Sequence, residues 1–294
     1  MERHPQFKAY VALAAVCFFW GATYTAIRMS LESFAPMVLV CVRFLISGSL
    51  MVALVRWRGH ALPRGRELRA AVLSGVLILG IGNGALVVAE MVIPSGLAGL
   101  FITISPFWMV VIEALMGGVA LHAPTLAGMA IGLGGAALLL APDVFGQTLG
   151  GGTLQGFLIL QIGMAGWSFG SIFQRRRTAN AHPFAIGAVH QLAAGVAFIP
   201  VAALFPGHSP AYSARSVAAM FYLVIFGSMV GYTAYTYALA KLPVAVTSIH
   251  TYVNSVVAVA LGWLFYREPF GQREAAAMMV IFTGVALVKK FARA

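Results

Sequence analysis

Charged residues are scarce in this sequence, and acidic ones most of all. Only 9% of the 294 residues are charged and eight are aspartate or glutamate, whereas a soluble domain carries roughly a quarter charged residues. Such a chain cannot cover a soluble surface with charge. The two cysteines, Cys17 and Cys41, lie inside apolar runs, without the paired spacing of a disulfide framework or a metal site. We expect neither a metal nor another cofactor.

What the chain has instead is apolar sequence, with 61% hydrophobic residues and 32 glycines. A helix that crosses a bilayer needs about 20 apolar residues, and the apolar runs between breaking residues approach or exceed that length. They predict an all-α membrane protein with ten transmembrane helices, near residues 9–28, 36–55, 70–90, 95–117, 124–141, 154–173, 184–205, 216–240, 244–265 and 272–289. The connections are short, so no soluble domain is expected beside them.

The basic residues produce a formal net charge of +11, but they lie in short clusters between the apolar runs. Since they form no single basic face, nucleic acid is not an expected partner. Positive loops remain on the cytoplasmic side of a membrane. With the amino terminus inside, fourteen lysines and arginines are cytoplasmic, against four on the other side: Arg28, Arg215, Arg267 and Arg273. We expect both termini to be cytoplasmic.

An internal repeat relates the two halves of the chain. The matching pairs, at offsets of 147 or 149 residues, include Trp20 with Trp167, Arg43 with His190, and Gly82 with Gly231. We expect two homologous repeats, residues 1–147 and 148–294, of five helices each. Because five is an odd number, the second repeat must be inverted in the membrane. Inverted repeats are typical of secondary transporters, whose substrate site lies near the midplane between the halves.

Several motifs resemble one known family. They are Phe-Trp-Gly at 19–21, the spacing from Pro36 to Arg43-Phe44, the pair Pro94 and Pro106, Pro243, and Arg-Glu-Pro at 267–269. They resemble the drug/metabolite transporter superfamily in its ten-helix EamA branch, and within it the YddG-type exporters of aromatic and other neutral amino acids. The resemblance covers essentially the whole chain. It implies an exporter of the inner membrane. We expect a monomer that moves a small-molecule substrate across the lipid bilayer by alternating access through a central cavity.

The second repeat departs from the family pattern at one position. Where the first repeat has Ser105-Pro106, the second has Asn254-Ser255, so the usual kinking proline is missing there.

Polar and aromatic side chains inside the predicted helices are the candidates for substrate binding, because each costs free energy unless it faces a cavity or a partner. The repeat-mate pairs are Asn83 with Tyr232, Phe101 with His250, and Ser105 with Asn254; the aromatic candidates are Trp20, Tyr24, Trp108, Trp167 and Tyr235. Together they would offer uncharged donors, acceptors and rings to a zwitterion. The alternative is hydrogen bonding between helices and packing. Trp167 is the leading substrate-contacting residue.

Arg43 and Glu113 are the charged residues that we expect to be buried within helices. Arg43 lies about 10 Å along the second helix, which is far for its side chain to reach the surface. It would pair with a helix end or serve the substrate, and the structural role is favoured. Glu113 is near the end of its helix, where snorkelling explains it, and it is kept as a candidate for proton coupling.

Other function classes find little support in the sequence. Gly-Trp-Ser-Phe-Gly at 166–170 matches the nucleophile motif of serine hydrolases, but that motif requires a strand, a turn and a helix, and here it falls in an apolar run. No lysine has the context of a phosphate-binding loop. We therefore expect neither an enzyme nor an ATP-driven pump. Facilitated diffusion or weakly coupled export of amino acids is the favoured function, with export of drugs or other metabolites as the alternative.

Overall fold

A computed structural model describes residues 5–117, 122–144, 152–178, 181–205, 207, 211–242, 244–247 and 250–291. Throughout these residues the regular secondary structure is helical, which confirms the predicted fold class. Seven continuous helical stretches of the described residues, some joining two or three of the helices named below, are long and apolar enough to cross a membrane. A shorter apolar helix covers Ala123–Leu139. The total of ten transmembrane helices stays a prediction. The expected repeat boundary at 147/148 and Pro243 lie outside the described residues.

The helices fall into two similar series. The first comprises α1 (Pro5–Gly21), α2 (Thr23–Leu31), α3 (Pro36–Trp57), α4 (Gly65–Gly75), the π-helix π1 (Val76–Asn83), α5 (Gly84–Ala89), α6 (Ser95–Ile102), α7 (Ser105–Leu115) and α8 (Ala123–Val144). The second comprises α9 (Gly152–Arg177), α10 (Pro183–Leu204), α11 (Ala214–Tyr222), the π-helix π2 (Leu223–Val230), α12 (Gly231–Lys241), α13 (Val244–Thr247), α14 (His250–Tyr266) and α15 (Gln272–Phe291).

Local sequence explains several helix ends. Pro36 and Pro183 occupy the first turns of α3 and α10, where the missing N–H of proline is not needed. The first series is broken between α6 and α7, just before Pro106. By contrast, α14 continues through Asn254 and Ser255 without a break. Because the second repeat lacks this proline, α14 is unbroken where the first repeat begins the new helix α7.

The two π-helices occupy matching places in the repeats. Both π1 and π2 have eight residues, and π2 begins and ends 147 residues after π1. This is the offset between Trp20 and Trp167. The mates of Gly82 and Asn83, at an offset of 149 residues, lie just past π2 at the start of α12. A π-helix widens the backbone, is rare, and is frequently found at functional sites. Each repeat thus carries the same local distortion next to the residues predicted to bind substrate.

Repeat-mate helices pack directly against each other through glycine. The helix α3 crosses α10, and α8 crosses α15. At the first crossing, Gly48 and its mate Gly195 each face the opposite backbone: a Cβ on Gly48 would lie 2.4 Å from the nitrogen of Leu192, and one on Gly195 would lie 2.6 Å from that of Leu45. Small residues allow such close approach. The repeats are therefore interlocked along these two crossings.

Replacing Gly48 with alanine should lower the yield and thermal stability of the folded protein, because the added methyl group would force α3 away from α10. Overpacking typically costs about 1 to 3 kcal/mol. The control is Gly134→Ala, since Gly134 is in a helix and a Cβ there would meet nothing within 4 Å. Fluorescence-detected size-exclusion chromatography with a melting curve measures both variants. Equal stability of the two would contradict the close crossing.

Candidate functional site

A central cavity lies between the two helix series, and the space between its walls, including the part open to solvent, is about 710 Å³. Both repeats contribute to its walls, through α1 to α3, π1, α5 to α7, α9, π2, α12 and α14. Nine of the residues proposed from the sequence line it: Trp20, Tyr24, Arg43, Asn83, Ser105, Trp167, Tyr232, His250 and Asn254. The pseudo-symmetric polar set is thus brought to one central volume. A substrate-contacting role for these residues stays a prediction.

An aromatic cluster forms one wall of the cavity. The rings of Trp20 and Trp167, which are repeat mates, meet edge to face with centroids 5.5 Å apart. Tyr235 packs against both tryptophans and is fully buried. Its hydroxyl accepts the indole N–H of Trp167 at 3.2 Å and is hydrogen-bonded to Ser171 at 3.0 Å. The Trp20 indole donates to the Gly227 carbonyl of π2 at 2.8 Å. These bonds hold two half-buried indole rings at the edge of the cavity.

Two polar pairs, related by the repeat, hold the walls of the cavity together. In the first repeat, Arg43 donates from Nη1 to Oδ1 of Asn83 at 3.2 Å and from Nε to Ser228 at 2.8 Å. In the second, His190 is hydrogen-bonded through Nδ1 to the Tyr232 hydroxyl at 2.6 Å. Its Nε2 atom lies 2.9 Å from the Ser74 hydroxyl.

These pairs support the structural role of Arg43, because its guanidinium bridges α3, π1 and π2. Arg43 also lines the cavity, so its position is compatible with both predicted roles, bridging helices and contacting the substrate. His190 was recognised from the sequence as the repeat mate of Arg43 but was not included among the site residues. The shared offset of 147 residues was the signal that could have added it.

Asn254 connects the aromatic wall to the rest of the bundle. In the amide orientation that satisfies its surroundings, its nitrogen donates to the carbonyl oxygens of Cys17 and His250, each at 3.0 Å. His250 packs its ring against Trp20, with centroids 5.3 Å apart. As predicted, His250 and Asn254 share one face of their helix, since both line the cavity.

Four of the predicted residues are not among those that line the cavity. Phe101 is fully buried and packs edge to face on Phe157, with centroids 5.0 Å apart. Trp108 donates its indole N–H to Gln161 at 2.9 Å. Tyr235 lies behind Trp167, as described above. Glu113 is half-buried in α7. For Phe101 and Trp108 the geometry favours the alternative of packing and hydrogen bonding between helices.

Glu113, which we expected to be buried within a helix, is only half-buried. Glu90 is 5% exposed and Glu268 is 8% exposed, so both acids are more enclosed than Glu113. Sequence reasoning placed Glu90 at the end of a predicted helix and gave it no role. The sequence did hold a signal for Glu90, because it is one of eight acidic residues and lies at the edge of an apolar run.

Glu268 closes one end of the bundle through a set of contacts that we call the Glu268 cap: Arg28, Ser95, Gly96 and Glu268. Its carboxylate accepts hydrogen bonds from the backbone nitrogens of Ser95 and Gly96 at 2.9 and 2.8 Å, and from the Ser95 hydroxyl at 2.9 Å. Arg28 donates to it at 3.0 Å. A carboxylate at a helix amino terminus is stabilised by the free N–H groups and the helix dipole. The cap thus joins α2, α6 and the α14–α15 connection.

One residue sets the charge of the cavity. Among the described residues that line it, Arg43 is charged, and the others are aromatic, aliphatic or uncharged polar. The positive charge of Arg43 disfavours cations in this cavity. Among the described residues, no group of three potential ligands could hold a metal ion. The Gly166 to Gly170 segment is helical, within α9, and lacks the strand and turn of a hydrolase nucleophile.

A model of the EamA-like transporter family matches the chain twice, over residues 7–141 and 154–289. The chain belongs to this family. It is similar to the Escherichia coli (strain K12) protein named "Uncharacterized inner membrane transporter YedA", with 37% identity over 280 residues, 94% of this chain and 89% of the relative. It is also similar to the "Probable terminal-alkyne amino-acid exporter" of Streptantibioticus cattleyicolor, with 25% identity over 264 residues, 89% of this chain and 86% of the relative.

The fold of this EamA-like transporter is also found in a solved structure. A protein described only as "Crystal structure of protein" matches with a TM-score of 0.70 and 21% identity, over 97% of both chains. Because the identity is low, this likeness concerns the fold alone. The family match and the Escherichia coli relative show a membrane transporter of the EamA family, as the resemblance implied.

Proposed function

We propose that this EamA-like transporter exports aromatic and other neutral amino acids, or close relatives of them, across the inner membrane by alternating access through the central cavity. The observation that carries the proposal is the lining of the cavity: two indole rings, uncharged polar groups, and one guanidinium. A neutral amino acid presents the matching chemistry, with an apolar or aromatic side chain and a zwitterionic head group.

Each part of such a substrate has a counterpart in the cavity. The half-buried rings of Trp20 and Trp167 offer faces and edges on which an aromatic side chain can stack. The guanidinium of Arg43 has five N–H donors, and the two bonds described above use two of them. A substrate carboxylate at this wall would meet a positive charge that is already fixed in place. Hydroxyl and amide groups of Ser105 and Asn254 suit the ammonium group.

The relatives agree with this substrate class and with the membrane. The Streptantibioticus cattleyicolor relative carries amino-acid exporter in its name, and the Escherichia coli relative carries inner membrane transporter. The proposal extends both descriptions to this chain, together with the YddG-type grouping.

The matched π-helices are the elements that we propose to bend as the cavity opens to one side and then the other, since a widened helix turn is weaker than a regular one.

Export of drugs or other metabolites is the second candidate, favoured by the largely apolar and aromatic lining. The positive charge of Arg43 argues against lipophilic cations within that class. The two candidates are separated by growth assays in cells that overproduce the protein. Export of amino acids should confer resistance to toxic aromatic amino-acid analogues and leave sensitivity to lipophilic cations unchanged.

The direct test is flux in proteoliposomes. Vesicles preloaded with unlabelled phenylalanine should accumulate radiolabelled phenylalanine or tryptophan by exchange, whereas empty liposomes should not. Competition by neutral amino acids, but not by lysine or lipophilic cations, is expected from the charge of the cavity. Exchange of none of the amino acids by folded protein would contradict the proposed substrate class.

The proposed orientation has both termini in the cytoplasm, because fourteen basic residues against four favour that side. Carboxyl-terminal reporter fusions are therefore expected to give green fluorescence and no periplasmic alkaline phosphatase activity. In this orientation the Glu268 cap lies at the periplasmic end of the bundle. A periplasmic carboxyl terminus would rule out an even number of transmembrane helices with a cytoplasmic amino terminus.

A further inference from the structure

Glu90 follows α5 directly, with its carboxyl group enclosed by protein. The residue is 5% exposed, and within the part of the chain that the structure describes neither carboxyl oxygen has a hydrogen-bond partner. An isolated carboxylate is too costly to bury, so a group in this position takes up a proton and becomes neutral. The enclosure therefore favours the protonated acid.

Within the described part of the chain, neither neighbouring arginine is hydrogen-bonded to the Glu90 carboxyl group. The groups that act on it electrostatically are Tyr24 and Arg28 of α2, Arg43 of α3, and Glu268 of the α14–α15 connection. Both arginines are already engaged, one by the Glu268 carboxylate at 3.0 Å and the other by two neutral side chains. Glu268 adds a negative charge, which disfavours a second carboxylate nearby.

The position of Glu90 connects the cavity to the Glu268 cap. Asn83, Leu86 and Glu90 are spaced three and four residues apart, so they follow one face of the helix, and the first two line the cavity. In α2, the cavity-lining Tyr24 precedes Arg28 of the cap by one turn. Glu90 interacts with both of these α2 residues. It therefore lies between the substrate cavity and the closed end of the bundle.

We infer that Glu90 is a proton-binding site that couples transport to proton movement. This inference rests on the proposed function. In the conformation described here the cap is closed and the side chain is the neutral acid. When the cap opens, the carboxylate takes a proton from periplasmic water, and its O–H bond forms there. After the return through the closed conformation, this O–H bond breaks and the proton passes to cytoplasmic water. The outward step then carries the zwitterion with the carboxylate unprotonated, so one proton moves inward for each zwitterion exported.

The transport test uses proteoliposomes with the wild type and Glu90→Gln, which keeps the shape of the neutral acid. For the wild type, a pH gradient should increase net flux of radiolabelled phenylalanine several-fold over the same assay without a gradient. For Glu90→Gln, exchange without a gradient should persist, and the increase caused by the gradient should be lost. Glu32→Gln is the control, since Glu32 is an acid at the same end of the bundle with a side chain 37% exposed, and it should remain coupled.

A second measurement does not depend on any substrate. Because the folded protein holds a proton that an unfolded glutamate loses above a pH of about 5, the wild type should lose thermal stability relative to Glu90→Gln as the pH rises from there. We expect the difference in Tm between the two proteins to widen by several degrees toward alkaline pH. Glu90→Met, an uncharged side chain of similar length, should behave in the same way.

The outcomes separate this inference from the proposed function. If the wild type exchanges no amino acid, the proposed function fails, and the pH-dependent difference in Tm still decides whether Glu90 binds a proton. Retained stimulation by the pH gradient in Glu90→Gln would overturn the inference. So would loss of coupling in Glu113→Gln but not in Glu90→Gln, or a constant difference in Tm across the pH range. Failure of both neutral variants to fold would show that the charged form is required, which also overturns it.

Discussion

Trp167→Ala should lower amino-acid flux per folded transporter by about tenfold or more, while insertion and expression stay near normal. Trp167 lines the cavity with a half-buried ring, and a substrate ring that loses this contact leaves roughly 1.5 to 3 kcal/mol of burial unrealised, which is about a tenfold change or more in affinity. The fold should tolerate the change, because Tyr235 keeps its hydrogen bond to Ser171 at 3.0 Å when the indole is removed.

The flux measurement needs two companion variants. Trp263→Ala is the matched control, since Trp263 is 53% exposed on the outside of α14 and its loss should leave flux unchanged. Trp167→Phe retains a ring but no N–H donor, so it should recover part of the flux if stacking is the contribution. Unchanged flux in Trp167→Ala would exclude the contact role, and loss of folded protein in proportion to flux would assign this residue to packing.

Much of the fold was predictable because the repeat and the membrane both constrain it. Every predicted apolar run lies largely within a helical stretch of the described residues, since a bilayer requires helices of nearly fixed length. The repeat also brought Asn83, Tyr232, Ser105 and Asn254 to the cavity, as their matched positions predicted. The second repeat has Ser255 where the first has Pro106, and the helices differ accordingly: the first repeat is broken between α6 and α7, whereas α14 is unbroken through Ser255.

The predictions that failed, and the features that were not predicted, have physical causes in the same helices. Phe101 and His250 are repeat mates, but the first belongs to the short α6, which ends at Ile102, and the second begins the long α14. Phe101 packs on Phe157, whereas His250 lines the cavity. The π-helices could not be predicted from periodicity, because each has a single polar residue, Asn83 or Ser228, in an otherwise apolar or glycine sequence. Glu90 was overlooked since a charged residue at a helix end is usually solvated, and enclosure by other helices is not visible in one helix's sequence.

Glu268→Ala should be the most destabilising single change at the capped end of the bundle. The carboxylate is 8% exposed, and its removal leaves the backbone N–H groups of Ser95 and Gly96 and the guanidinium of Arg28 without this acceptor. Breaking a fully buried charge pair from one side typically costs about 3 to 5 kcal/mol, and the cost here should lie toward the lower end because the Arg28 side chain is 32% exposed to water. The carboxylate also fills space beside Gly262, where a Cβ would collide with it. We expect a large fall in Tm and in the yield of monodisperse protein.

The matched control for this change is Glu32→Ala, which also removes an acid paired with an arginine at the same end. Glu32 lies 3.8 Å from Arg215, and their side chains are 37% and 47% exposed, so the pair contributes only about 0 to 1 kcal/mol. Thermal unfolding of both variants in the same detergent should therefore separate them clearly. Glu268→Gln should fall between them, because the amide retains one acceptor for the helix terminus but loses the charge. If Glu268→Ala has the same Tm as Glu32→Ala, the cap contributes nothing to stability, and α6 must be held by its packing alone.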